Sequence, residues 1–525
     1  MKTRLFRQNG TPGRIRTCDP LVRSQILYPA ELQVQTNFNS KLTAFDLQIR
    51  IFFMDTKRIL IGGEWRGGAE TFTVNNPFSS EPLAEVFSAS ESENAEAIAT
   101  ATSAAQAMRG LARFEVARGL RKIADGIERR KEEFARTISM EAAKPIRLAR
   151  GEVERGIATF AWAAGEAERF AGEVVPVDTI AAGANKNGCT KHIPRGVIYG
   201  ITPFNFPLNL VAHKVAPALA CGNAIIIKPS QRTPLTALLL GEVFLESGLP
   251  NAALQIVPTD TKHIELIYAN ERVKMISFTG SAEVGWQLKA KAHKKMITLE
   301  LGGNAPVIVD ESADFEKSLE KITGGAFGYA GQTCISVQRI YVHAQIFDEW
   351  TGKFVENAKN LKKGNPLEES TALSAMIDQA AASKAQSRVE EAASNGAKIL
   401  CGNTREKSLL DATIVTKTNP EMRVVAEEIF APVAVVEKFD DFEEAVALSN
   451  QTEYGLQAGV FTNDLKNSNY AAETLEYGGV IVNDVPTFRV DNMPYGGVKN
   501  SGFGREGVRY AMQEMSETRL IVINS

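Results

Sequence analysis

An α/β protein of more than one domain is what this sequence predicts, and three observations predict it. The chain has 525 residues, more than one compact core accommodates. From Gly196 onward, short apolar runs alternate with helical patterns, as in a parallel sheet covered by helices. A second alternating series opens at Ala305 and reaches Asn483.

Composition narrows the class further. The chain is 44% hydrophobic and 23% charged, ordinary soluble usage, and no apolar run approaches bilayer length. Five cysteines, odd in number and without Cys-x-x-Cys spacing, argue against a disulfide framework and a zinc site, so no metal is expected. The five histidines are scattered, and surface or core roles are expected for them. Net charge is −3, with 8 Lys and Arg against 3 Asp and Glu in residues 1–53 and 51 against 59 in the rest. A mildly acidic body argues against a nucleic-acid partner.

Taken in order, residues 1–53 have no sustained period, mix Pro12, Pro20 and Pro29 with arginines, and lack the apolar core and cleavage site of a signal peptide. They are expected to lie outside the fold, as a disordered or spurious extension before a start at Met54, and a cytoplasmic location follows. A transit peptide is the competing reading, which Asp19, Glu31 and Asp46 oppose. Ser90 and Glu93 have capping-box spacing, so a helix is predicted over Ala95 to Met108. Helical patterns run from Phe114 to Glu168 with a break at Pro145, and the irregular stretch from Gly172 to Gly188 predicts a hairpin or flap.

Strands are then predicted from Gly196 to Thr202, Ala224 to Lys228, Leu254 to Pro258, Val273 to Phe278 and Met296 to Glu300. Helices fall between them over Leu208 to Ala220, Pro234 to Ser247 and Ala282 to Lys294. The second series has strands at Ala305 to Asp310, Val433 to Val436, Ala458 to Thr462 and Val480 to Asn483. Its helices lie near Phe315 to Gly328, Ile346 to Lys362 and Ile377 to Gly396. A terminal strand, Arg519 to Ile523, is expected to pair with the flap or with another subunit.

Five short segments carry candidate chemistry. Cys334, in Gly-Gln-Thr-Cys-Ile-Ser, is a candidate nucleophile if neighbours stabilise its thiolate, and otherwise an inert small hydrophobe. Asn205, in Thr-Pro-Phe-Asn-Phe-Pro, could donate to an oxyanion or simply suit a turn. Lys228 ends a very apolar strand, where it could meet a ribose or phosphate or snorkel to solvent. Phe-Thr-Gly-Ser-Ala-Glu-Val-Gly, with Gly280 and Ser281 at its turn, suits backbone binding of a diphosphate. It lacks the full Gly-x-Gly-x-x-Gly spacing and also fits a capped helix. Glu300 ends an apolar strand before two glycines, and is either a base of raised pKa or half of a salt bridge.

In this order the segments resemble the NAD(P)-dependent aldehyde dehydrogenase family, from about Ile61 to the C-terminus. Glu-Glu-Ile-Phe-Ala-Pro-Val from Glu427 and the glycine-rich stretch from Pro494 to Glu506 extend the likeness. The resemblance implies a Rossmann-type dinucleotide-binding domain over 54–176 and 195–302, and an α/β catalytic domain over 303–510. It also implies β oligomerisation strands over 177–194 and 511–525, in a homodimer or homotetramer. Cys334 is then the nucleophile, Asn205 with the Cys334 backbone N–H the oxyanion donor, and Glu300 the base that deacylates the thioester. Lys228, with Ser230 and Gln231 beside it, would hold the adenosine ribose, Gly280 and Ser281 the diphosphate, and Glu428 the nicotinamide ribose, flanked by Phe430.

NAD or NADP is the implied cofactor and a small aldehyde the implied partner, with no nucleic acid and no membrane. Gln231 stands where many NAD-preferring members have glutamate, which leaves the choice between the two open. Phe204 and Asn304 also depart from the commonest pattern. Thr333 beside Cys334, where arginine would suit a phosphorylated substrate, weakens that reading, and the overall pattern is similar to branches acting on small hydroxyaldehydes such as lactaldehyde. Arg489, in Pro-Thr-Phe-Arg before the glycine-rich stretch, could meet a substrate anion, but a surface arginine is the expectation. The alternatives are a non-catalytic protein on the same fold and a CoA-acylating relative, and Cys334, Asn205 and Glu300 together disfavour both.

Overall fold

The computed structural model describes residues 56–68 and 70–524, so the extension expected over 1–53 and the start at Met54 lie outside the described residues. Helices dominate the first part. Ser90 accepts from the Glu93 N–H while the Glu93 carboxylate accepts from the Ser90 N–H, and this box starts the helix Glu91–Gly110. Three more helices follow, Arg113–Arg129, Lys131–Ala142 and Ile146–Arg169, the last beginning directly after Pro145. Among the described residues no helix is long and apolar enough to cross a membrane.

Two sheets carry the chemistry. The first has eight strands in the order Glu64–Arg66, Ile59–Ile61, Leu254–Ile256, Ala224–Lys228, Val197–Ile201, Val273–Thr279, Met296–Glu300 and Gly502–Phe503. Its inner strands run parallel, and Ala224–Lys228 and Val197–Ile201 are buried at every position, as apolar runs such as Ala-Ile-Ile-Ile-Lys require. Ile201 pairs with Lys228 and with Phe278, and Thr279 pairs with Glu300. All four motif-bearing strands therefore end along one edge.

The second sheet has seven strands in the order Lys398–Cys401, Thr413–Thr416, Val433–Phe439, Val337–His343, Ala305–Val309, Gln457–Phe461 and Gly479–Val482. Val337–His343, a central strand missing from the sequence reading, starts three residues after Cys334. Ala305 and Val337 are register partners, so the Gly302–Asn304 and Cys334–Ser336 segments meet at the amino edge of this sheet. A crevice between the carboxyl edge of one sheet and the amino edge of the other results.

The third sheet contains the flap. Val174–Val175 pairs antiparallel with Gly188 and Cys189 as a hairpin, and Ser516–Asn524 pairs antiparallel along the whole of Lys186–Pro194, so the terminal strand does join the flap. Residues 511–514, expected as strand, close the helix Val508–Glu514 instead, because Ala511 and Met512 are buried on its inner face.

Candidate active site

The loop carrying Cys334 is held in an uncommon backbone conformation. Tyr329, Ala330 and Gly331 are successively left-handed, with φ of 51°, 52° and 67°, which the surrounding contacts must enforce. At Gly331 a Cβ would fall 2.0 Å from the Ala431 carbonyl oxygen, so only glycine fits. The buried Gln332 side chain accepts from the Ile377 N–H at 2.8 Å and anchors the loop.

Asn205 comes to this loop from the other sheet, its Nδ2 donating to the Gln332 carbonyl at 3.0 Å. Gly302 and Gly303 explain the glycine pair after Glu300. A Cβ on Gly302 would meet the Glu428 carboxylate at 2.4 Å, and one on Gly303 the Cys334 carbonyl oxygen at 2.2 Å. Gly303 also donates its N–H to Glu428 at 2.9 Å. Burial raises Glu428 to about 7, against the Gly303 N–H and Arg388.

Asn205, Gly280, Ser281, Cys334, Glu428 and Phe430 share the wall of one cavity of about 560 Å³. Phe430, itself left-handed at φ 54°, meets Phe204 edge to face with centroids 5.9 Å apart. Lys228, Ser230, Gln231 and Glu300 do not line this cavity. Gln231 is exposed and borders a second cavity of about 400 Å³ beside Asp378. Lys228 does not snorkel: it is 6% exposed, and burial lowers its pKa against the pull of Asp260.

Glu300 is buried, and neither carboxylate oxygen has a hydrogen-bond partner, so the salt-bridge reading fails for it. Burial and the neighbouring Glu506 charge hold its pKa well above the carboxylate range, against Arg489, Lys214 and Arg505. Glu506 behaves oppositely: against the penalty of burial, the Lys214 and Arg489 charges keep it ionised.

The cavity wall beyond Cys334 overturns one expectation. Arg489 is not a surface arginine: its side chain is buried, bonded to Glu506 at 3.1 Å and to His213 Nδ1 at 3.0 Å. His213 takes the core role expected of it, buried in this wall. Its Nε2 lies 2.7 Å from Asp491, which Arg155 also contacts at 2.8 Å. Because the Arg489 guanidinium can only donate, His213 Nδ1 must accept, which places the proton on Nε2 toward Asp491. Lys214 completes the chain, 3.0 Å from Glu506 and bonded to Ser277 and Thr279. A signal existed in the sequence: His213 and Lys214 interrupt an otherwise apolar helix, Asn209–Ala220, where buried polar groups need partners.

A dinucleotide fits the residues present. Ser281 is the N-cap of the helix Ala282–Lys291 yet makes no side-chain cap bond, so its hydroxyl and the first helical N–H groups stay available to a diphosphate. Among the described residues the Lys228 ammonium at the same sheet edge makes no ion pair, and Asp260 is the charge that acts on it.

Comparison with known proteins decides the family. The aldehyde dehydrogenase family model matches residues 65–521. The chain belongs to the aldehyde dehydrogenase family. The 3-sulfolactaldehyde dehydrogenase of Priestia aryabhattai is 43% identical over 468 residues, covering 89% of this chain and 98% of the relative. Aldehyde dehydrogenase 21 (ALDH21) of Physcomitrella patens, solved with its reaction product succinate, is 42% identical with a TM-score of 0.88, over 90% of this chain and 98% of that one. Glyceraldehyde-3-phosphate dehydrogenase GapN of Methanocaldococcus jannaschii, solved with NADP, is 41% identical with a TM-score of 0.84, over 87% and 100%. This aldehyde dehydrogenase is an NAD(P)-dependent oxidoreductase.

Proposed function

We propose that this aldehyde dehydrogenase oxidises small hydroxyaldehydes carrying an anionic group, with Cys334 as nucleophile. The observation that carries the substrate class is a pair of guanidinium groups, Arg155 and Arg489, on the wall of the cavity that holds Cys334. Two cations on one wall favour an anion, and a carboxylate, sulfonate or phosphate matches guanidinium geometry. The anions named for the relatives, a sulfolactaldehyde and succinate, are of this chemistry.

The Cys334 sulfur attacks the aldehyde carbon while the second Asn205 amide hydrogen and the Cys334 N–H receive the oxygen. A bound nicotinamide cofactor supplies the hydride acceptor that carries the adduct to a thioester. Lys228, the Gly280–Ser281 turn and Glu428 would hold that cofactor, with Phe430 flanking it. Ser230 and Gln231, outside the cavity that holds Cys334, would add to the hold only beyond its wall. Glu300, once deprotonated, takes a proton from water and the hydroxide cleaves the thioester, which favours a free acid over a CoA ester. Residues 54–176 and 195–302 act as the cofactor domain and 303–510 as the catalytic domain.

A homodimer or homotetramer is inferred from Ser516–Asn524, an edge strand with Leu520, Val522 and Ile523 exposed. Light scattering on the pure protein tests it. For the nucleophile the test is Cys334→Ala, which is expected to abolish aldehyde oxidation while cofactor binding persists. Retained turnover would sink the assignment.

A further inference from the structure

One neighbour of the nucleophile has no part in the scheme above. Tyr495 Oη lies 3.2 Å from Cys334 Sγ and, among the described residues, has no other hydrogen-bond partner. The tyrosine is held from three sides. Its N–H donates to the Glu506 carbonyl at 3.0 Å, its carbonyl accepts from the Glu506 N–H at 2.6 Å, and the Arg489 Cζ sits 3.6 Å from its ring centroid. Ile335 and Leu456 cluster with Tyr495, and the partly buried Cys334 packs against them.

We propose that Tyr495 is a catalytic residue of this enzyme: its phenol O–H donates to the Cys334 sulfur and stabilises the thiolate. The inference rests on Cys334 being the nucleophile and adds the group that readies it. Toward a neutral thiol either atom could donate, but toward a thiolate only the phenol can, and a charged acceptor strengthens the bond. The other charges facing the sulfur are Glu428 and Glu300, which oppose ionisation, and Arg489, which favours it. None of these touches Sγ. Burial pushes the Cys334 thiol up to about 12, and the Tyr495 bond is the largest influence acting downward. Tyr495 itself faces Cys334, Arg489 and Glu300, and the first of these together with burial holds its phenol well above the usual range. It therefore stays a donor at every working pH.

The test uses the free full-length enzyme without aldehyde or cofactor. Iodoacetamide alkylation of Cys334 is followed from about pH 6 to about pH 10 by peptide mass spectrometry, which separates it from the other cysteines. An S–C bond forms, iodide leaves, and the thiol proton passes to buffer. Tyr495→Phe keeps the ring under Arg489 and is expected to slow labelling about tenfold across this range, the equivalent of about a one-unit rise in the thiol pKa. Tyr495→Leu is expected to give the same slowing, and serves if the Phe variant folds poorly. An alkylation profile identical to that of the unmodified enzyme in either folded variant overturns the proposal. If alkylated wild-type enzyme still oxidised aldehydes, the nucleophile reading would fail instead, whatever the Tyr495 profile.

Discussion

The two ends of the Cys334 cavity are built by opposite means. At one end the walls are strand termini and backbone: Gly280 and Ser281 after one strand, Gly302 after the next, with Glu428 and Phe430 closing from the second sheet. At the other end the walls are charged side chains, Arg155, His213 and Arg489, with Asp491 and Glu506 behind them. Backbone donors survive side-chain change, whereas a buried polar network loses more than one bond when one member goes. The first kind of wall suits the part of the reaction shared with relatives, and the second suits the choice of aldehyde.

Removing the Glu300 carboxylate should have the largest effect after loss of Cys334 itself. Glu300→Gln is expected to leave a rapid burst of reduced cofactor and to cut steady-state turnover by about 10² to 10⁴-fold. Because burial raises the Glu300 pKa, the deacylation rate of the unmodified enzyme should climb with pH above the usual carboxylate range as the base form appears. Stopped-flow traces across pH check both, and a mutant with the same rising limb would remove Glu300 from the deacylation step. Next in size, Arg489→Gln is expected to lower kcat/KM for anionic aldehydes by about 10²-fold while neutral aldehydes of similar size fall far less. Equal losses for both classes would reduce Arg489 to a structural strut.

The same contrast governs what could be read without coordinates. Asn205, Gly280 and Glu300 sit at the ends of contiguous apolar strands, so one stretch of chain contains both the strand and the residue it presents. Their strands end within a residue of the observed limits, as at Ala224–Lys228 and Met296–Glu300. The Arg155–Asp491–His213–Arg489–Glu506 chain spans 352 positions of sequence, and no local pattern can join residues so far apart. Arg489 looked like a solvent-facing residue because its segment, Pro-Thr-Phe-Arg, has no period, and burial there comes entirely from the tertiary fold. Val337–His343 escaped notice for another reason: Val-Gln-Arg-Ile-Tyr-Val-His puts an arginine mid-strand. Inside the protein that guanidinium is satisfied by Asn304, Tyr477 and the carbonyls of Leu448 and Ser449, so a charge that reads as surface is core.

The smallest expected effect probes whether the charged end holds itself together by charge or by shape. Despite burial, His213 and Arg155 keep Asp491 below the ordinary aspartate range. A group whose folded pKa is depressed contributes stability above its unfolded pKa, and that contribution fades as pH falls through the folded value. Asp491→Asn preserves shape and removes the charge, so it is expected to cost about 1 to 3 kcal/mol near neutral pH. In thermal melts the gap between Asp491→Asn and the unmodified chain should stay constant down to about pH 5 and close below about pH 4. A gap that persisted in acid would mean the asparagine amide disturbs packing or the His213 tautomer, and the wall would then depend on hydrogen-bond direction more than on charge.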